Sequence, residues 1–261
     1  MAPTGLTPRG ARLIPFPRIP IVPTLSRPPC AARPQARPTT GRRIRYLGLA
    51  AIALSLLAGG AGGAGSGDGS NDKDAGWRPL FNGKDLEGWT TAGTARWRVE
   101  DGTIVGGQDG DPSRHGLLVT EEHFKDFELE LEFMIDEHGK YNSGVYLRNE
   151  PGAEGRSGYQ VNIGRGQAGE YCAGLFTDRW LDKGDEHDTI RRPNDWNRLH
   201  VLARGGHIEV TLNGEKVVDF TDENPPERFL QKGAIAFQTY GAEGHAGWVK
   251  FRGIRVRPLD G

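Results

Sequence analysis

Cysteine is scarce in this sequence: Cys30 and Cys172 are its whole complement. Cys30 falls in a leader expected to be removed, so no disulfide framework is available and Cys172 is left alone. No Cys, His and Asn signature accompanies it, and a small buried hydrophobe is expected there rather than a nucleophile. Apolar residues recur at a helical period over no long stretch, which argues against a helical fold. Acidic residues are missing from positions 1–45, where Pro and Arg dominate without any apolar period. Such a stretch cannot build a core and is expected to be disordered. The apolar run at 46–58 (YLGLAAIALSLLA) is too short for a standard membrane-spanning helix.

That run follows Arg42, Arg43 and Arg45 and precedes small residues, the three-part layout of a secretory signal. Export to the periplasm or the outside is therefore expected, with an uncleaved segment acting as a membrane anchor as the alternative. Residues 59–76 are Gly/Ala/Ser and then Asn/Asp/Lys, a flexible tether. One domain of moderate size is expected over 77–261, large enough to bury a core without a metal or a disulfide. The whole chain has 33 basic and 34 acidic residues, but nine Arg and Lys73 precede Trp77, against three Asp. The domain proper then carries 23 basic and 31 acidic residues, about eight negative charges. A clustered basic surface is lacking, which argues against a nucleic-acid or anionic-membrane partner.

The remainder alternates in short segments. In FELELEF at 127–133, a period of two places Phe127, Leu129, Leu131 and Phe133 on a buried face and three Glu on the other. Residues 207–220 form an expected hairpin whose Asn213-Gly214 pair supplies the positive-φ residues of a type I′ turn. Val249 and Phe251 share a face that Ile254 and Val256 continue only if an extra residue enters near Arg252-Gly253, which predicts a bulge. Further strands are expected near 96–99, 103–105, 116–120, 143–148, 159–163, 196–203 and 234–240. Together they predict an all-β, antiparallel two-sheet sandwich of jelly-roll type.

A set of short motifs runs through this region in order: LFNGKDLEGW at 80–89, WRVEDGTIVG at 97–106, FEL at 127–129, NSGVYLR at 142–148, GYQV at 158–161, DWN at 195–197, LNG at 212–214 and VKFRGIRV at 249–256. In these the chain resembles the 3-keto-disaccharide hydrolase family, also called 3-keto-glucoside lyase/hydratase. The resemblance implies a concanavalin-A-like sandwich, an oligosaccharide or glycoside as substrate, and an exported location. Members often carry Glu at the position of Gln160 or of Gly158, and this chain has neither. An amide cannot act as a general base.

A ketone at carbon 3 of a sugar acidifies the proton on carbon 2. Cleavage by that route needs a base, a polariser of the ketone oxygen and an acid for the leaving group, unlike the paired carboxylates of ordinary glycosidases. A divalent metal, an Arg or paired donors could polarise the ketone; no covalent cofactor is implied. With Val145 and Leu147 facing the core, alternation puts Tyr146 and Arg148 together on the opposite face, and Gln160 and Asn162 likewise. If these strands line a concave sheet they form a polar floor for a sugar; otherwise they form a solvated outer face. The stretch from Asp178 through Trp180 to Asp188 gathers carboxylates, His187 and an aromatic ring on an expected loop. It could supply a base, a divalent metal site or an aromatic wall, or be a solvated acidic loop, since its spacing matches no standard metal motif. By the resemblance, Gln238, Tyr240 and His245 lie near the cleft. His245 on a Gly-rich loop is the preferred base, because imidazole titrates near neutral pH; the other possibility is an exposed His with no role. Arg148 and Asp178 are the further candidate catalytic residues, and Tyr146, Gln160, Asn162, Trp180, Gln238 and Tyr240 the candidate substrate contacts. Glu128, Glu130 and Glu132 form a charged stripe expected to be a solvated convex face, with a calcium site as the alternative. Two other functions remain in view, a non-catalytic sugar-binding module and a structural adhesion module.

Overall fold

The computed structural model describes residues 74–136, 141–150, 157–164, 169–240 and 245–259. The chain divides into two units, Met1–Ala64 and Gly65–Gly261, and every described residue belongs to the second. The expected leader, the apolar signal-type segment and most of the tether lie outside the described residues. Among the described residues, no helix is long and apolar enough to cross a membrane.

In chain order the strands are β1 (Arg78–Pro79), β2 (Trp89–Gly93), β3 (Arg96–Glu100), β4 (Thr103–Gly107), β5 (His115–Phe124), β6 (Phe127–Ile135), β7 (Asn142–Asn149), β8 (Tyr159–Gly164), β9 (Leu175–Phe176), β10 (Trp180–Asp182), β11 (Asn197–Arg204), β12 (His207–Leu212), β13 (Glu215–Thr221), β14 (Gly233–Tyr240) and β15 (Trp248–Pro258). A short 3₁₀ turn, Glu227–Leu230, interrupts the approach to β14. The strands form two antiparallel sheets. One has eight strands in the order β13-β12-β11-β6-β15-β4-β3, with β1 added along β15. The other has seven, in the order β10-β9-β8-β7-β14-β5-β2. This is the two-sheet sandwich expected from the alternation.

The core lies between the inner faces. β6 contributes Phe127, Leu129, Leu131, Phe133 and Ile135, all buried, while Glu128, Glu130 and Glu132 point outward. From the seven-stranded sheet come Val145, Leu147, Tyr159, Val161, Ile163, Ile235 and Phe237. Phe237 of β14 stacks on Phe251 of β15 with ring centroids 4.4 Å apart, joining the two sheets. Burial of this apolar area is the main term favouring the fold.

Two local devices expected from the sequence are present. Asn213 and Gly214 both have positive φ, 52° and 93°, and close the β12–β13 hairpin. The pairing of β15 with β6 slips between Arg252 and Arg255, where Gly253 has φ 60°. The extra residue keeps Val249, Phe251, Ile254 and Val256 in the core and sets Arg252, Arg255 and Arg257 opposite Glu132, Glu130 and Glu128.

A second bulge was not expected. Along β14, Ala236 pairs with Tyr146 but Ala234 pairs with Asn149, so β7 carries one extra residue there. Arg148 sits in that bulge with φ 56°. Its placement beside Tyr146 is therefore corrected: the extra residue breaks the alternation and turns the Arg148 side chain inward, where it is 0% exposed. The guanidinium donates to the carbonyls of Lys125, Gly205 and Phe229 and to the Asp126 carboxylate at 3.1 Å. A second correction concerns the acidic segment, which is not a loop throughout. Trp180–Asp182 forms β10 at the edge of the seven-stranded sheet.

Candidate functional site

Residues that oppose one another in register point to the same face of a sheet. On the outward face of the seven-stranded sheet this yields three rows. The first runs Trp180, Phe176, Gln160, Tyr146, Ala236, Val119 and Thr90. The second runs Asn162, Gly144, Gln238, Leu117 and Ala92. The third holds Gly164, Asn142, Tyr240 and His115. Tyr146, Leu117 and Ala236 make an apolar cluster separate from the main core.

The polar members are ordered by one another. Gln160 Nε2 donates to Gln238 Oε1 at 2.7 Å, so both amide planes are fixed. No described residue accepts from Gln238 Nε2, which remains a donor on this face. Gly144 opposes Gln238 in register, and a Cβ there would collide with the amide of Gln160, which reaches across from the neighbouring row. Glycine at 144 is what allows the two Gln side chains to meet. Asn162 donates through Nδ2 to the carbonyls of Gly164 and Tyr171 and accepts from Asn142, which leaves it tied to the backbone. At one edge Trp180 packs edge-on against Phe176 and Tyr171, each with centroids 5.0 Å away. At the other end Tyr240, 43% exposed, faces His115 at 6.0 Å. The face thus combines aromatic platforms with fixed amides, the composition that binds a sugar's apolar faces and hydroxyl array.

The strand ends next to Tyr240 and Asn142 hold a further polar group. His245 lies on the segment between β14 and β15, with Nε2 3.3 Å from Oδ1 of Asp136, the residue after β6. Asp136 is buried, and its backbone N–H donates to the Trp248 carbonyl at 2.9 Å. Beside it the Tyr141 hydroxyl bonds to Thr239 Oγ1, to which Gln108 Nε2 also donates at 3.4 Å. Burial pushes the Tyr141 hydroxyl up to about 12, so it stays neutral at ordinary pH.

Of the expected site residues, Tyr146, Gln160, Asn162, Trp180, Gln238 and Tyr240 come together on this face. His245 lies at the loop end adjoining it. Arg148 does not join them, for the reason given above. Asp178 lies in the turn between β9 and β10 with its side chain 85% exposed, and the Thr177 hydroxyl holds its carboxyl below the usual range. An ionised, solvated carboxylate has no proton to give and no water-free setting in which to act. The rest of the acidic segment is occupied in shaping itself. Burial would raise the Asp185 carboxyl, but the backbone N–H groups of Thr189, Arg191 and Ile190 outweigh it and hold it low. Asp188 grips Arg191 at 2.7 Å, and Glu186 pairs with Lys183. Missed by sequence reasoning were Phe176 and the buried set Asp136, Tyr141, Thr239 and Gln108. The one available signal was a carboxylate immediately after the β6 alternation ends.

The outward face of the other sheet differs in kind. Glu128 pairs with Arg257 and His200, Glu130 with Arg198 and Arg255, and Glu132 with Arg252. Trp77 lies over Arg255 and Arg257, and Trp196 lies 3.9 Å from the Arg252 guanidinium. The Glu stripe is therefore a surface of neutralised pairs. Among the described residues, His207, Glu209 and Asp219 lie close enough together to hold a metal. The Lys216 ammonium, 3.1 Å from Glu209 and 2.9 Å from Asp219, already supplies the cation there, and the group is on the sheet opposite the sugar-like face.

Comparison with known proteins gives a consistent result. The family model of the 3-keto-alpha-glucoside-1,2-lyase-like domain matches residues 76–257. A 3-keto-disaccharide hydrolase of Bacteroides thetaiotaomicron is 29% identical over 234 residues, covering 71% of this chain and 79% of the relative. A structure from Parabacteroides distasonis, provisionally described as a glycosyl hydrolase, superposes with a TM-score of 0.55 at 23% identity. It covers 72% of this chain and 96% of its own. A Bacillus subtilis protein of unknown function with a galectin-like fold has a TM-score of 0.51 at 18% identity over 66% of this chain and 90% of its own. These two structures support the sandwich fold.

Proposed function

Because the chain belongs to the family of the 3-keto-alpha-glucoside-1,2-lyase-like domain, we propose that it is an exported enzyme that cleaves 3-keto-glycosides by elimination and hydration. The observation that carries this reading is the match over 76–257, which spans both sheets and so includes the face built by Tyr146, Gln160 and Gln238. The sugar would lie on that face, its rings against Tyr240 and Trp180, over the buried cluster that holds Tyr146. Gln238 Nε2 would donate to the ketone oxygen, the part first expected of Arg148, and Gln160 would hold Gln238 in place. His245 would remove the proton from carbon 2. The carbon–hydrogen electron pair becomes the carbon 1–carbon 2 double bond as the bond to the aglycone oxygen breaks, and the imidazolium returns the proton to that oxygen. Water then adds, hydroxyl to carbon 1 and hydrogen to carbon 2, for net hydrolysis. Export rests on Arg42, Arg43, Arg45 and the apolar run after them.

One observation favours a second reading, a sugar-binding module without turnover: Gln160 is an amide, which cannot act as a base, at a position where the family resemblance implies Glu in many members. Incubation of the purified protein with 3-keto-trehalose and 3-keto-glucosides, following aglycone release by mass spectrometry, separates the two. Release is expected, and Gln238→Ala should lower kcat/KM by about tenfold, the loss of one neutral hydrogen bond, or ~1.4 kcal/mol. Binding without release would establish the module. The same assay with a chelator tests whether a divalent cation also polarises the ketone.

A further inference from the structure

We propose, on the reading of this face as the site of cleavage, that the substrate carries at least two rings beyond the ketosugar and that Trp180 is the platform for the second of them. The Gln160–Gln238 hydrogen bond passes over Gly144 of β7, where a Cβ would block it. At the sheet edge the same device recurs. Leu175 opposes Val161 in the core, so Gly174 before it faces outward, and its carbonyl accepts from the Asn162 N–H at 2.9 Å. Gly174 thereby extends the row of Asn162, Gly144 and Gln238. A Cβ on Gly174 would lie 3.0 Å from Trp180 Cζ3, so the indole leans over this glycine as Gln160 leans over Gly144. Phe176 and Tyr171 pack edge-on against the indole at interplanar angles of 63° and 76°, and Lys183 Nζ lies 5.2 Å from the Tyr171 ring centroid. The indole is thus braced on two sides while staying partly exposed, and a sugar that stacks on it orders little that is not already ordered.

Strand spacing sets the length. Gly144 lies on β7 and Gly174 immediately before β9, with β8 between them, so the amide pair and the indole stand two strand spacings apart, about 10 Å. Rings joined through a single glycosidic oxygen repeat at about the interval between neighbouring strands. With the ketosugar at the amides, the next ring falls over β8 and the one after it reaches the indole. A ketosugar at the non-reducing end is continued only through carbon 1, so both of those rings belong to the leaving aglycone. A disaccharide ends over β8 and leaves this platform unused.

Kinetics with 3-keto-glucosides carrying one, two or three further glucose units test this. From one further ring to two, kcat/KM should rise about tenfold, chiefly through KM, and a third ring should add little. In Trp180→Ala the ratio of kcat/KM for two further rings to that for one should fall to about one, and in Trp180→Phe, which keeps a smaller platform, it should stay above the Ala value. The fraction of each variant that folds cancels from this ratio. Equal kcat/KM for one and two further rings in the wild type, or a ratio that Trp180→Ala leaves unchanged, would overturn the proposal. Should none of these compounds be cleaved, the enzymatic reading fails on its own. The ratio of their dissociation constants, measured by calorimetry on the wild type and on Trp180→Ala, then decides the platform on the same terms.

Discussion

Arg148 shows what a single residue can hide from sequence. Its neighbours Val145, Tyr146 and Leu147 obey alternation, and Arg is a residue type rarely buried without partners. Nothing in NSGVYLR marks a bulge: the positive-φ position that would normally be Gly is the Arg itself. What places the guanidinium is the convergence of acceptors from the β5–β6 turn, the β11–β12 turn and the 3₁₀ turn, all distant in sequence. Arg148→Ala should cost about 3–5 kcal/mol of stability, since it leaves the carbonyls of Lys125, Gly205 and Phe229 without this donor and Asp126 with the Gly205 N–H but no cation. Urea unfolding of the variant measures this, and a loss under about 1 kcal/mol would contradict the buried role. Tyr146 and Gln160 were legible because their strands pair without slip over the row that contains them, while Gln238 was placed by the family resemblance. Asp136 was not: its partner lies 109 residues away, and spacing cannot bring such a pair together.

Among the elements, β15 illustrates how one glycine organises several strands. The bulge at Gly253 lets a single strand pair with β4 along its first half and β1 along its second while staying on β6. A Cβ at 253 would meet nothing within 4 Å, so replacing this glycine costs only the strain of a positive φ. Gly253→Ala is expected to destabilise by about 1 kcal/mol, read as a lower melting temperature with the fold intact by circular dichroism. Gly144 is the opposite case, with ordinary backbone but no room, and substitution there should disturb the Gln160–Gln238 pair instead. The short strands β9 and β10 escaped prediction because two or three residues hold too few alternations to register as a period.

At the scale of the whole molecule the two outward faces do different things. The seven-stranded sheet presents amides and aromatic rings; the eight-stranded sheet presents a ladder of carboxylates and guanidiniums. Burial raises the Glu128 and Glu130 carboxyls, but hydrogen bonds from Arg257 and His200 to Glu128, and from Arg255 and Arg198 to Glu130, outweigh it. Both folded values therefore lie below the ordinary 4.5. A depressed carboxyl contributes stability that is present above the unfolded value and lost as pH falls through the folded one. Melting temperature should accordingly hold down to about pH 4.5 and then decline with acid. The decline should be shallower in a Glu128→Gln, Glu130→Gln double variant, and a wild type equally stable at about pH 3 would refute the ladder's contribution.

Alternation, turn chemistry and the need for an extra residue at Gly253 are properties of adjacent residues. They were enough to determine a two-sheet antiparallel sandwich, its hairpin, its β15 bulge and that Tyr146 and Gln160 point away from the core; Gln238 was placed by the family resemblance alone. The ordered motifs were enough to determine the family. Tertiary structure alone decided that Arg148 turns into the core, that Asp178 stays in solvent, and that Asp136 meets His245. Each of those outcomes depends on groups brought together by strand pairing across the sandwich, and the free energy of a buried ion pair or hydrogen bond exists only once the fold has excluded water from both partners.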